Sequence, residues 1–493
     1  MRVSKSNFLR YIQCPKRYWL GVHMPELADE RDMTVFTNGT RIGEVARNLF
    51  PGGVLLEYRE EDNRLDYPRM LSETKKHLEE GTDVIYEASF STGNIFAICD
   101  ILVKTDRGYD VYEVKSSGSL KDIYLPDAAF QYHVLKQWGL PVDRVFITHI
   151  NTGYIRYGEL HLEEMFYHND VTDTVIEIER EIEEALPDII HTYHLDEAPD
   201  IDIDLQCETP YVCEFMGHCY SHIRENSVFE IAGMQQKRKY SLYHDGVVYF
   251  RDIINRGIVL KKNAMQQVET ALSGENIIER DEISGFLDTL HYPLYFLDFE
   301  TINPAIPLYD GTSPYQQIPT QYSLHFIEGK DGQLFHREFL AEEGSDPRRK
   351  LAEQLANDIP ENACVLAYHM AFEKKVISGL AKMFPDLSKK LMSIHDNARD
   401  LIIPFRKRYL YTNEMKGKSS IKSVLPALFP DDPMLSYENL EGVHNGNEAS
   451  NAYLSLTDLS PDERAETKKQ LLEYCKLDTL AMVKIWEKLK EIT

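Results

Sequence analysis

The tightest constraint on this chain is an acid-apolar alternation at the end of a hydrophobic run, Phe296-Leu297-Asp298-Phe299-Glu300-Thr301, matched far downstream by Tyr474-Cys475-Lys476-Leu477-Asp478. Side chains on a strand alternate with period two, so Asp298 and Glu300 share one face. Residues four apart on a helix lie one above the other, so a helix over 471–480 sets the Tyr474 hydroxyl beside the Asp478 carboxylate. Carboxylates crowded in this way repel unless a divalent cation sits among them. Their hard oxygens suit Mg2+ or Mn2+. A pair of such ions about 3.5–4 Å apart activates water and stabilises the leaving oxygen of a phosphodiester. The expected chemistry is phosphodiester hydrolysis.

At 493 residues the chain is too long for one ordinary core. The pattern divides it into an α/β region over 1–220, a helical connector over 221–290 and a second α/β region over 291–493. Strands are expected at Ile95 to Lys104, Tyr109 to Val114, Val145 to Ile150, Tyr295 to Phe299, Gln321 to Ile327 and Cys364 to Tyr368, and Asp106-Arg107-Gly108 marks a turn. Helices are expected at Phe130 to Trp138, Val171 to Glu184, Arg348 to Asp358, Ala371 to Lys382 and Leu471 to Ile492.

The first residues form no apolar stretch of signal-peptide length, and no run approaches about 18 uncharged apolar residues. The expectation is a cytoplasmic protein without a membrane partner. Seven cysteines, an odd number, argue for reduced thiols or metal ligation over a disulfide framework. A net charge of −26 opposes general attraction to phosphates, so nucleic-acid binding falls to local patches. Basic and aromatic residues interleave in Gln236-Lys237-Arg238-Lys239-Tyr240, at Lys261-Lys262 and in 405–411 with Lys416, Lys418 and Lys422. Arg406, Lys407, Arg408, Lys416 and Lys418 are the candidates for pairing with a single strand's phosphates, with a solvated basic face as the alternative.

A second group of chemistry-bearing residues lies nearer the N-terminus. Asp100 sits on one expected strand and Glu113-Val114-Lys115 on the next, where Glu113 and Lys115 share a face. A lysine there orients water or stabilises a pentavalent phosphate, and a surface salt bridge is the competing reading. Gly39-Thr40-Arg41-Ile42-Gly43-Glu44 supplies an earlier helical acid, and Asp127 to Tyr132 opens the following helix. In the C-terminal half, Ala367 to Glu373 is a further strand-to-helix segment with an acid at its start. Asp400 is either a supporting acid or a helix cap, and His369 reads as a turn or core histidine. Cys207, Cys213 and Cys219 form C-x5-C-x5-C, and Cys14 precedes Pro15-Lys16-Arg17. Four thiolates suit zinc or an iron-sulfur cluster, against a packing role for buried cysteines.

The three C-terminal motifs resemble the DnaQ-like, or DEDD, 3′-5′ exonucleases of the tyrosine type, over about residues 291–493. The resemblance implies an RNase H-like domain in which Asp298, Glu300, Glu373 and Asp478 hold two metals and Tyr474 orients the attacking water. Glu373 stands where that family usually has aspartate. The N-terminal motifs resemble the PD-(D/E)XK nucleases of the RecB type. That implies a restriction-endonuclease-like domain in which Glu44, Asp100 and Glu113 bind metal, Lys115 assists catalysis and Gln131 contacts the substrate or the site. Many of those relatives carry histidine where Glu44 stands.

A lone cysteine followed by a distant triplet resembles the iron-sulfur nucleases, including CRISPR-associated RecB-like and AddB-type enzymes, and implies a 4Fe-4S cluster on Cys14, Cys207, Cys213 and Cys219. The first interval is longer than their usual C-x2-C, which keeps zinc open. The whole chain resembles a bacterial and archaeal fusion of the two nuclease types. The implied activity is trimming of single-stranded DNA ends in repair, processing or defence, with a helicase or CRISPR adaptation complex as candidate partner. A 3′-5′ exoribonuclease and a nucleic-acid-binding scaffold with one inert site are the alternatives.

Overall fold

Alternating apolar residues in Ile95–Lys104 and Tyr109–Lys115 build the centre of a seven-stranded mixed sheet. The computed structural model describes residues 3–29, 34–60 and 63–493, with side chains in the second stretch from residue 39. The strand order is Val54–Leu55, Val84–Thr92, Ile95–Lys104, Tyr109–Lys115, Val142–Ile150 and Phe166–Asp170, with Val3–Ser4 parallel to the start of Ile95–Lys104. Helix Leu125–Trp138 buries Phe130, Val134 and Leu135 against this sheet, together with Val175 and Ile182 of Thr172–Tyr193. The expected turn at residues 106–108 joins the two central strands. There Gly108 adopts φ 150°, and a Cβ would meet the Pro141 carbonyl oxygen at 2.1 Å.

Contacts along the chain define two units, Met1–Ile223 with Ala305–Tyr315, and Arg224–Pro304 with Gln316–Thr493. Of the expected helical connector 221–290, Val228, Leu242, Phe250 and Val268 pack in a core of their own, and residues 224–290 group with the second unit. The physical reason is burial. Ile283 and Phe286 enter the same core as Leu477 and Val483, and Ile277–Ile278 pairs with Leu410–Tyr411.

The second unit is built on a five-stranded mixed sheet in the order Leu334–Leu340, Ile318–Ile327, Leu294–Ile302, Cys364–Ala367, Ala398–Asp400. Period two sorts its central strand between two cores. Tyr295, Leu297 and Phe299 pack with Leu351, Leu355, Ile377 and Leu380 on one face. Leu294 and Phe296 face the other way, into the core shared with Leu477, Ala481, Val483 and Trp486 of Pro461–Ile492. That helix begins ten positions earlier than its apolar periodicity suggests. Ser460 caps it in a reciprocal box with Glu463, and Pro461 occupies its first position. The chain is therefore mixed α/β in both units, and no described helix is long and apolar enough to cross a membrane.

Candidate functional site

Asp298 and Glu300 continue the face of Leu294 and Phe296, so the strand turns both acids toward the side covered by Pro461–Ile492. Three polar contacts fix that helix lengthwise on the neighbouring strand. Gln321 donates to the Leu471 carbonyl at 2.9 Å, and Thr479 Oγ1 lies 2.7 Å from Ser323 Oγ and 2.8 Å from His325 Nδ1. This register brings Asp478 to the two strand acids. Among the described residues, Asp298, Glu300 and Asp478 form the group whose candidate ligand atoms all lie within 4.8 Å of one another.

Two unit charges that far apart repel by about 3.5 kcal/mol at an effective dielectric near 20. The protonation behaviour follows. Burial, then Asp478 and Glu300, pushes Asp298 well above the carboxylate range. Burial and Asp478 push Glu300 up to about 8. Burial raises Asp478 to about 6, opposed by a Tyr437 hydrogen bond and by Lys422. Crowded, buried oxygen donors whose pKa values are raised in this way are a donor set suited to a hard divalent cation.

Glu373 lines the same cavity of about 410 Å³, only 3 % exposed, and its Oε2 has no hydrogen-bond partner. It stands outside the tight trio, although it contributes to the repulsion on Asp298 and Glu300. Tyr474 lines the cavity and hydrogen-bonds to Asp478, while burial and the three acids hold its hydroxyl protonated. Asp400 does not line the cavity; it accepts from the backbone N–H groups of His369 at 2.9 Å and Ile402 at 3.3 Å, and its charge adds to burial in raising Glu373. His369 is an exposed turn residue with φ 71° at the cavity's edge.

Tyr437 escaped the sequence reading, and Lys422 was read there as part of a basic patch and not of this site. Tyr437 donates to Asp478 at 2.5 Å from a short 3-10 turn, where no periodicity signals a role. Lys422 lines the cavity, donates to the His444 carbonyl at 2.8 Å and lies over the Tyr437 and Tyr474 rings. Its sequence signal was membership of the basic stretch after residue 415.

The first unit holds a mixed cluster of acids and lysines around a cavity of about 590 Å³ lined by Asp100, Glu113 and Lys115. Lys115 and Lys5 both donate to Glu113 Oε1 at 2.7 Å, Gln131 donates to Oε2, and Lys115 also pairs with Asp127. Burial would raise Glu113, but the two lysines override it and hold it below the usual range. Asp100 accepts from the Val114 N–H at 2.7 Å, and burial with Glu113 pushes it up to about 8. Gln131 is fully buried beneath Glu113 and does not line the cavity.

Glu44 is not part of this cluster. It is exposed, one position round the helix from Gly43, which does line the cavity. The acids that line the cavity instead are Glu57 and Glu87, the latter paired with Arg47 at 2.8 Å and held at φ 57° where pairing with Ile95–Lys104 skips a residue. Among the described residues, Asp100 and Glu113 belong to no group of three acids, histidines or cysteines whose ligand atoms all lie within 4.8 Å of one another.

Cys14, between the first two helices, is gathered with Cys207, Cys213 and Cys219, close enough for these thiols to perturb one another electrostatically. Burial raises Cys207 and Cys219 and pushes Cys213 up to about 11. No three of the sulfurs lie mutually within 4.8 Å, whereas tetrahedral zinc, with Zn–S near 2.3 Å, requires S–S separations of about 3.8 Å. The two chain segments are also tied directly. Gln13 donates to the Gln206 and Tyr211 carbonyls at 2.7 and 2.6 Å, and Arg17 pairs with Glu214 at 2.7 Å.

The basic candidates do not form one face. Arg406, Lys407, Lys416 and Lys418 are exposed, and Arg406 lies 3.6 Å from Asp400. Arg408 is buried at 5 % exposure, because its backbone turns inward at φ 60° and its guanidinium stacks on Tyr411.

Residues 295–420, which carry Asp298, Glu300 and Glu373, match a family described as "Domain of unknown function (DUF2779)". The chain is 28 % identical over 206 residues to the "Uncharacterized protein MG366 homolog" of Mycoplasma pneumoniae, covering 38 % of this chain and 31 % of the relative. It is 26 % identical over 209 residues to "Uncharacterized protein MG366" of Mycoplasma genitalium, with the same coverage of each chain. The match thus spans about a third of the length of these curated relatives.

Proposed function

We propose that this protein is a metal-dependent nuclease that shortens single-stranded DNA ends, with its principal active site at Asp298, Glu300 and Asp478. The convergence of these three carboxylates within 4.8 Å carries the reading. The orphaned Glu373 oxygen supports it, as an additional acid that would complete the donor set. Divalent cations bound there would supply the Lewis acidity that generates the nucleophile and stabilises the leaving oxygen.

The chain's own residues have separate tasks. Tyr474, kept protonated, is a hydrogen-bond donor or acceptor able to orient a water but not to remove its proton. Tyr437 fixes the Asp478 carboxylate by its 2.5 Å hydrogen bond. Lys422 offers a point charge to a non-bridging phosphate oxygen. This division of roles is that of a DEDD exonuclease of the tyrosine type and implies 3′-5′ polarity and an RNase H-like domain.

In the first unit, Asp100, Glu113 and Lys115 support a RecB-type PD-(D/E)XK site, and the four thiols support a 4Fe-4S cluster that links distant segments. A second reading of that unit has one specific observation in its favour. Both Glu113 oxygens are occupied, by Lys5 and Lys115 on one side and Gln131 on the other. A domain in that state binds a strand through its cavity without cutting it.

End-labelled single strands with manganese test both sites. Asp298→Ala should reduce 3′-5′ shortening by at least about a thousandfold, and EDTA should stop it. Lys115→Ala should remove only a separate activity of the first unit. Undiminished shortening by Asp298→Ala rejects the principal site, and unchanged products from Lys115→Ala favour the binding-only first unit. Anaerobically purified protein should be brown and contain iron, and Cys207→Ser should lose the colour. Stoichiometric zinc without iron would reverse the cluster assignment.

A further inference from the structure

A separate cavity of about 770 Å³ in the second unit has a lining whose charge is opposite to that of the chain as a whole. Arg238, Lys261, Lys262 and Arg408 line it, and no lining residue is acidic, in a molecule of net charge −26. Two helices begin at its wall. Gln236–His244 starts at Gln235 and Lys262–Ser273 at Lys261, both starts line the cavity, and neither has a side-chain cap. Uncapped starts leave backbone N–H donors and positive dipole ends without an acceptor.

The independent sign of a ligand is Arg408. Its Nη2 donates to the Gly417 carbonyl at 2.8 Å and its guanidinium lies 3.7 Å from the Tyr411 ring centre, yet Nη1 has no hydrogen-bond partner. A guanidinium buried this deeply with one donor unmet carries a desolvation penalty that an anionic acceptor relieves. The exposed Arg238, Lys261 and Lys262 likewise have no ion-pair partner among the described residues. Gly417 makes the arrangement compact. It holds φ 76°, and a Cβ there would meet Gln267 Oε1 at 2.2 Å and Ala232 Cβ at 2.7 Å.

We propose that this cavity binds a phosphate group, held by Arg408, by the two uncapped helix starts and by Arg238, Lys261 and Lys262. Guanidinium forks and helix N-termini are both suited to phosphate oxygens. Val259, 88 % exposed at the rim, offers an apolar contact to the sugar or base attached to that phosphate. Assigning the phosphate to a nucleic-acid strand rests on the nuclease reading. Phosphate binding itself does not.

The test uses the full chain in EDTA, so that no strand is cut. A labelled single-stranded DNA oligonucleotide is followed by fluorescence anisotropy across a salt series, and inorganic phosphate and pyrophosphate by calorimetry. Arg238→Glu and Lys262→Glu change exposed residues, and Lys382→Glu is a charge-matched control elsewhere. Each cavity variant should weaken at least one probe by about tenfold and lower the salt dependence of strand binding by about one counterion. The control should bind as wild type.

Binding of both probes assigns the phosphate to a strand, and binding of inorganic phosphate alone assigns it to a small phosphorylated compound. Wild-type protein that binds neither probe, or cavity variants that bind both undiminished, would overturn the proposal. The nuclease reading fails separately. A chain that binds phosphate here but shortens no strand sinks that reading alone, and a chain that shortens strands while both variants bind normally sinks the cavity alone.

Discussion

Asp298, Glu300 and Asp478 make the second unit's stability depend on pH in a definite sense. Burial raises the folded-state pKa values of all three, joined at Asp298 and Glu300 by repulsion from the neighbouring acids, to about 8 for Glu300 and about 6 for Asp478, above unfolded values near 4. The folded state therefore binds more protons, and the stability those protons provide is lost as pH rises from about 4 to about 8. Asp298→Asn replaces a carboxyl that folding must keep protonated by a neutral amide, and so escapes that pH-dependent cost. In EDTA its melting temperature should match wild type near pH 5 and exceed it by about 2–6 °C at pH 8. A difference that shrinks with rising pH would contradict the repulsion described here. These acids were legible in the sequence because strand period two and the helical four-residue spacing are local rules. Tyr437, Lys5 and Glu87 were not, since a 3-10 turn, a chain start and a skipped strand residue obey no such period. Glu44 shows the converse failure. Its helix was readable, but a single 100° step places it outside the cavity that Gly43 lines.

At the scale of elements, expectation and structure agree where patterning is strong. Ile95–Lys104 and Arg348–Asp358 have the bounds that their sequences suggest. The start of Pro461–Ile492 was missed because its first turns are polar, although Ser460 and Glu463 spell a capping box. Val84–Thr92 was missed because its alternation is blurred by burial on both faces. The turn at Gly108 gives a direct test of an element junction. Alanine there must adopt φ near 150° and place its Cβ against the Pro141 carbonyl, which is backbone and cannot move aside cheaply. Gly108→Ala should cost at least about 2 kcal/mol, read as a lower urea midpoint with the metal response of the second unit unchanged. A neutral Gly108→Ala would show that the strand junction is looser than this geometry.

For the whole molecule, the two α/β regions were readable from local patterning, whereas the way contacts divide the chain was not. The segment 224–290 has a small core of its own around Leu242, Phe250 and Val268, and it groups with the second unit through Ile283 and Phe286, which share a core with Leu477 and Val483, and through the pairing of Ile277–Ile278 with Leu410–Tyr411. Segment 305–315 returns to the first unit, which no local pattern announces. Charge behaves similarly. The total of −26 argues against nucleic acid, whereas its distribution leaves one cavity lined by cations and another by acids. The function proposed here depends most on the acidic one. Calorimetric titration of the metal-free full chain with manganese at neutral pH, in two buffers of different ionisation enthalpy, tests it directly. Wild type should bind saturably and release protons, and Asp298→Asn should lose the part of the binding and proton release that belongs to this site. Binding and proton release that persist unchanged in Asp298→Asn would contradict the cation site at Asp298, Glu300 and Asp478.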